Sequence, residues 1–200
     1  VKNIIITGNK EVKDYEIIEA ANIKNYPSFI SINKSKITKT LKQNPFIKDV
    51  QIKKNFKFQI TINITEEKVV AYNLTNQSYL LSNGTYINDK NFLGVPQLNN
   101  YTPEDVLKNF AEELGKLDED IIADISEIEY SPSKNETGET IDSTRFKLKM
   151  KDGNTVYINV KKCNVLSYYN QIYASLKDKK GVLNLDSGNY ERYVLTLYEE

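Results

Sequence analysis

Apolar residues recur along this chain at two spacings, and each spacing predicts a different element. Phe58, Ile60, Ile62 and Ile64 alternate with Gln59, Thr61, Asn63 and Thr65. A period of two puts the apolar set on one face of a strand and leaves the other face wet. Val50 and Ile52 alternate in the same way ahead of Lys54-Asn55, where a hairpin turn is expected. Val1 to Ile6 is rich in β-branched residues and reads as a strand, ended by a Gly8-Asn9 turn. Between these strands the spacing becomes helical. Ile17, Ile18 and Ala21 share one face over 14–21, and Ile37 and Leu41 form a second stripe. Asn33 is expected to cap that second helix, with Ile32 and Ile37 spaced as a hydrophobic staple. Pro45 ends it, because proline has no amide hydrogen and disfavours a helical residue before it.

The remaining residues are mostly strand-like, with two helices. Val69 to Leu74 and Tyr79 to Leu81 read as strands, and Asn83-Gly84 as a turn. Thr102-Pro103-Glu104-Asp105 predicts a helix start with Thr102 as cap and Pro103 at the first position. Leu107, Phe110, Ala111 and Leu114 continue at helical spacing. Ile125 to Tyr130 and Phe146 to Met150 read as strands around a polar loop, 131–143. Lys151-Asp152-Gly153 turns the chain into a strand from Thr155 to Val160. Leu166, Tyr169, Ile172, Tyr173 and Leu176 mark a second helix, with Asn164 as the expected cap. Two last strands, Val182 to Leu185 and Arg192 to Tyr198, bracket Ser187-Gly188-Asn189.

Charge divides the chain where the pattern does. Residues 1–68 hold 13 Lys+Arg and 7 Asp+Glu, whereas residues 69–200 hold 14 and 20. A domain boundary is expected there, giving domains 1–68 and 69–200. The whole chain of 200 residues is neutral, with 27 charges of each sign, which argues against a general nucleic-acid binder. His is absent, which removes His-based triads and His-ligated metal sites. Cys163 is the lone cysteine, so no intrachain disulfide exists. No apolar run reaches the ~20 residues needed to span a bilayer.

Candidate chemistry is sparse. Ser31 to Lys34 and Ser131 to Lys134 both fit Ser-x-x-Lys, but the partner elements of acyl enzymes are missing. Asp118-Glu119-Asp120 lacks the alternation and central glycine of a Ca²⁺ loop, and reads as a solvated helix end or loop. Glu66 and Glu67 are neighbours on a strand and point to opposite faces, so they cannot converge on one bond. Seven Asn-x-Ser/Thr sequons follow from a composition rich in those residues. Lys53, Lys54 and Lys57 flank the hairpin turn, either as a solvated turn or as a surface for an acidic partner or anionic membrane. Cys163 precedes a helix, where a thiolate is favoured, or is simply packed. No site for a cofactor, a metal or a small-molecule substrate is expected.

The terminal segment stands out as apolar on both faces: Tyr193, Leu195 and Leu197 on one, Val194 and Tyr198 on the other. Two readings stand: an internal, fully paired strand, or an edge that accepts another chain's strand.

Several segments together resemble the FtsQ/DivIB family of bacterial cell-division proteins, in its Gram-positive form. They are VKNIIITGNK (1–10), NPFIKDVQI (44–52), ITINITEEKVVAY (60–72) and YLLSNGTYI (79–87). ISEIEYSP (125–132), DGNTVYI (152–158) and KGVLNLDSGNY (180–190) follow in the family's order. The resemblance implies an α+β chain: a POTRA domain (β-α-α-β-β, a three-stranded sheet with two helices), then a larger, mostly β domain with two helices. It implies a single-pass protein of the cytoplasmic membrane, anchored upstream of Val1, with this region on the extracytoplasmic side at the division septum. It implies a non-catalytic scaffold that organises FtsB/DivIC-like and FtsL-like partners. The expected partner-binding residues are Val182, Leu183, Leu185, Tyr190, Tyr193, Val194, Leu195, Thr196 and Leu197. Because the first-domain motifs recur in other POTRA domains, a subunit of a protein-export or barrel-assembly machine is the alternative.

Overall fold

A computed structural model describes residues 1–175, 179–187 and 194–198, with the backbone alone at 194 and 195. The chain forms two compact units, Val1–Glu67 and Lys68–Glu200.

The first unit runs β1 (Asn3–Thr7), α1 (Asp14–Ala20), α2 (Lys34–Leu41), β2 (Ile47–Lys54), β3 (Gln59–Glu66). The sheet order is β1-β3-β2, so β3 is central, parallel to β1 and antiparallel to β2. The central position explains the alternation: Ile60, Ile62 and Ile64 are buried, as are Ile17, Ile37 and Leu41 of the two helices. Fully burying each such side chain contributes roughly 1.5–3 kcal/mol. The Asn33 side chain accepts from the Lys36 amide, and Ile32 and Ile37 are both buried. Glu66 ends β3 by accepting from the amides of Glu11 and Val12 at 2.8 and 2.9 Å, which ties down the loop ahead of α1.

Phe58 departs from the expected strand. It sits in the turn at φ 57, half exposed, and β3 begins one residue later. Lys54 is not simply solvated either. Its ammonium donates to the carbonyls of Phe29 and Ile32 at 3.1 and 2.9 Å and lies over the Phe29 ring.

The second unit opens with β4 (Val69–Asn73), β5 (Ser78–Leu81), β6 (Tyr86–Ile87) and β7 (Gln97–Leu98). Helices α3 (Glu104–Gly115) and α4 (Glu119–Ala123) lead to β8 (Ile125–Tyr130). Then come β9 (Ser133–Lys134), β10 (Thr140–Asp142), β11 (Arg145–Met150) and β12 (Thr155–Asn159). A 3-10 helix (Val160–Tyr168) runs into α5 (Tyr169–Ser175), followed by β13 (Gly181–Asn184) and β14 (Val194–Leu197). Among the described residues nine strands form one sheet in the order β14-β13-β12-β11-β8-β7-β4-β5-β6. The joints β4–β7, β7–β8 and β12–β13 are parallel. At the centre Phe110 of α3 stacks on Phe146 of β11, with ring centroids 3.8 Å apart and planes 9° off parallel. Leu107, Ala111 and Leu114 bury the rest of the predicted α3 stripe. The fold is α+β, with the larger unit mostly sheet.

Three local expectations fail for physical reasons. Helix α3 starts at Glu104 with Pro103 in the cap position, and the Thr102 hydroxyl is buried without a hydrogen-bond partner. The second helix is capped by Asn159, whose side chain accepts from the Lys162 amide, and not by Asn164. Its first nine residues wind as 3-10 helix, so Cys163 lies within the element and is fully buried. The polar loop 131–143 contains the hairpin β9–β10, which Asn135 stabilises by accepting from the amides of Thr137 and Glu139.

Candidate partner-binding edge

β13 enters the sheet parallel to β12, and β14 folds back antiparallel onto it. A polar cluster holds this last ribbon in place. Asn154 is almost fully buried, and its Oδ1 accepts from the Gly181 amide at 2.9 Å. Its Nδ2 donates to the Tyr169 hydroxyl at 3.2 Å, and that hydroxyl donates to the Asp152 carboxylate at 2.6 Å. One asparagine in the β11–β12 turn therefore links α5 to the first residue of β13. Buried polar groups joined in this way fix a unique arrangement, because each loses heavily if a partner leaves. Burial first, then the bond to Asp152, pushes the Tyr169 hydroxyl far above the ordinary tyrosine range. It stays a donor at any physiological pH.

Further contacts fix the ribbon from its sides. The Arg145 guanidinium pairs with Asp186 at 2.8 Å and lies 3.8 Å from the centre of the Tyr157 ring. Lys180 donates to the Tyr173 hydroxyl at 2.8 Å, and the hydroxyls of Thr155 and Tyr198 share a bond of 2.6 Å.

The backbone bonds then set which groups of β14 face outward. The Tyr198 amide donates to the Lys180 carbonyl, while the amides of Gly181 and Leu185 donate toward the β12 side, to Asn154 and to the Tyr157 carbonyl. In an antiparallel pair, hydrogen-bonded and non-bonded positions alternate. The register pairs Val182 with Thr196 and Leu183 with Leu195. Thr196 therefore bonds inward, and the amides of Leu195 and Leu197 point away from β13. Among the described residues no strand lies on that outer side.

The residues named from the sequence separate into groups. Leu183 of β13 and Leu185 just after it are 1% and 0% exposed, so both are packed into the core. Val182 is half-buried, and Thr196 and Leu197 are exposed on β14. Val194 and Leu195 lie on the β14 backbone. Tyr190 and Tyr193 lie outside the described residues. The sequence reading missed Asn154, Arg145 and Asp186. Only the Lys151-Asp152-Gly153 turn signal touched that cluster, through Asp152, and it carries no hint of a long-range bond.

The other candidates resolve as structural. The Ser31 hydroxyl donates to the Ser28 carbonyl within a turn. Asp118 takes the cap position of α4, and Glu119 and Asp120 form its first turn, where carboxylates suit the helix dipole. Among the described residues no group of three His, Cys, Asp or Glu side chains is placed to hold a metal. Burial pushes the Cys163 thiol up to about 12, so it is neutral and unreactive at physiological pH. No described helix is long and apolar enough to cross a membrane.

Residues 1–67 match the family model described as POTRA domain, FtsQ-type. Cell division protein DivIB of Listeria monocytogenes is 30% identical over 195 residues, covering 94% of this chain and 70% of the relative. The DivIB of Bacillus subtilis is 32% identical over 198 residues, covering 95% and 73%. A solved structure of the major extracytoplasmic domain of DivIB from Geobacillus stearothermophilus overlays with a TM-score of 0.44 at 24% identity. That overlay covers 56% of this chain and 96% of the solved one.

Proposed function

This chain belongs to the DivIB family of cell division proteins, and from that premise we propose how its scaffold role is carried out. The last ribbon of the second unit accepts an extended segment of another division protein by strand addition along β14. The outward amides of Leu195 and Leu197 carry this reading, because they are ready donors for a further ladder. Thr196 and Leu197, both exposed, supply side-chain contact beside that ladder. The partners are FtsB/DivIC-like and FtsL-like proteins. The chain sits on the extracytoplasmic side of the cytoplasmic membrane, tethered at the septum by one span, and has no reaction centre. An export or barrel-assembly role is not favoured, because the DivIB matches run through both units and not through the POTRA domain alone.

Titrating the chain with the soluble ectodomains of its DivIC-like and FtsL-like partners tests this. Leu195→Pro removes an outward donor and leaves the β13 ladder intact, so it should abolish binding while circular dichroism and the unfolding midpoint stay near wild type. Binding unchanged in a folded Leu195→Pro variant, or no binding by the wild-type chain, refutes the proposal.

A further inference from the structure

The first unit carries an exposed apolar tip that the division reading does not use. Three segments meet there. The Val1 nitrogen donates to the Pro27 carbonyl, and the Lys2 amide to the Phe58 carbonyl at 2.9 Å. Phe29 meets Phe58 edge to face, with centroids 5.5 Å apart, and Lys54 ties the Phe29–Ile32 stretch to the end of β2. On this base Phe56 is 105% exposed and Ile30 is 92% exposed, so neither side chain packs on the protein. Tyr26 and Phe58 are half exposed or more beside them. Phe29, Phe56 and Phe58 line a shallow apolar cleft with the stem of Lys54.

Its charge is of one sign. Segments 1–4, 22–32 and 53–59 hold five lysines, Lys2, Lys24, Lys53, Lys54 and Lys57, and no Asp or Glu. All but Lys54 are exposed. Protruding aromatic and aliphatic side chains set among lysines suit an anionic bilayer surface. The rings enter the headgroup boundary, the ammonium groups meet lipid phosphates, and each basic residue adds about 1 kcal/mol near such a surface. The lysine stems can also lie along the apolar boundary with their heads in water.

We propose that this tip, Phe56 and Ile30 with Lys2, Lys53 and Lys57, docks on an anionic lipid surface. The parallel pairing of β1 with β3 places the first residue of the chain at the same tip. The tether proposed above would leave from that spot and hold the tip against the bilayer; this one clause rests on the membrane placement proposed there. The lipid contact itself does not, and it lies in the other unit from the partner edge.

Co-sedimentation of the 200-residue chain with vesicles tests it. Vesicles of equal parts phosphatidylglycerol and phosphatidylcholine at low salt should bind the chain, and pure phosphatidylcholine vesicles or high salt should release it. Combined Phe56→Ser and Ile30→Ser substitution should lower partitioning about tenfold or more, with the fold unchanged because neither side chain is packed. The chain has no Trp, so Phe56→Trp gives a single tryptophan, which can be excited apart from the 14 tyrosines and whose emission should shift to the blue on phosphatidylglycerol vesicles. Wild-type chain left in the supernatant, as expected of a tip that seats a protein instead, overturns the proposal. So does binding that is equal on neutral vesicles, unaltered by the double substitution, or without a shift at Phe56→Trp. None of these results bears on Leu195→Pro, so the two readings fail separately.

Discussion

Gly181 lies so close to the neighbouring strand that a Cβ on it would stand 2.1 Å from the Thr196 carbonyl oxygen. The glycine is needed for proximity and not for turn geometry, since it pairs with Leu197 within the β13–β14 ladder. Gly181→Ala should push β14 off β13 and cost about 1–3 kcal/mol, as overpacking does. Urea unfolding reads the loss of stability. Amide exchange should show it concentrated in the last ribbon, with β11 and β8 nearly unaffected.

Asn154→Ala should leave the buried Gly181 amide without its acceptor and the Tyr169 hydroxyl with Asp152 alone. The expected loss is about 1–3 kcal/mol for each buried group left unsatisfied. Tyr169→Phe should cost less: Asn154 Nδ2 loses its 3.2 Å bond, but the Gly181 amide keeps its acceptor and Asp152 still accepts from the Asn154 backbone amide at 2.9 Å. Thermal midpoints of the two variants check the order, and reversal of that order would show that Tyr169 is the organising residue.

The stacked pair Phe110 and Phe146 joins α3 to the sheet. Phe146→Ala should cost about 3–5 kcal/mol, the range for emptying an aromatic site in a core. A double-mutant cycle with Phe110→Leu should return a coupling of about 0.5–1.5 kcal/mol beyond area burial. Denaturant titrations of the four proteins measure both quantities.

Stability should fall in alkali, and the sign follows from Cys163. Its folded pKa, raised by burial to about 12, stands above its ordinary value of 9.0. The contribution is therefore complete below pH 9 and is lost progressively as pH rises from there toward the folded value. The slope reaches about 1.4 kcal/mol per pH unit for one such proton. Cys163→Ala should flatten the profile in that window, while Tyr169, also raised, keeps a decline above its ordinary value of 10.0. Denaturant midpoints measured across alkaline pH, wild type against variant, check this.

Legibility in the sequence tracked how local each cause was. Ile60, Ile62 and Ile64 were readable because period two reports a face directly, and Asn33 because its acceptor bonds an amide three residues away. The 3-10 stretch was misread because Cys163, Val165 and Leu166 look equally apolar at 3.0 and 3.6 residues per turn. Strands of two residues such as β6 and β7 hold too few positions to show any period. At the edge, the apolar terminal strand was visible in the residues. The hub at Asn154 was not, because its bonds to Tyr169 and Gly181 span 15 and 27 residues.

The crossover from β12 to β13 sets an order of assembly. A parallel neighbour cannot be reached by a tight turn, so the 3-10 helix and α5 must seat before Gly181 finds its place. β14 then has only β13 to template on. The surface proposed to meet other division proteins therefore depends on that crossover, because β14 pairs only with β13 among the described residues. A second unit folded only as far as β12 would be blind to those proteins.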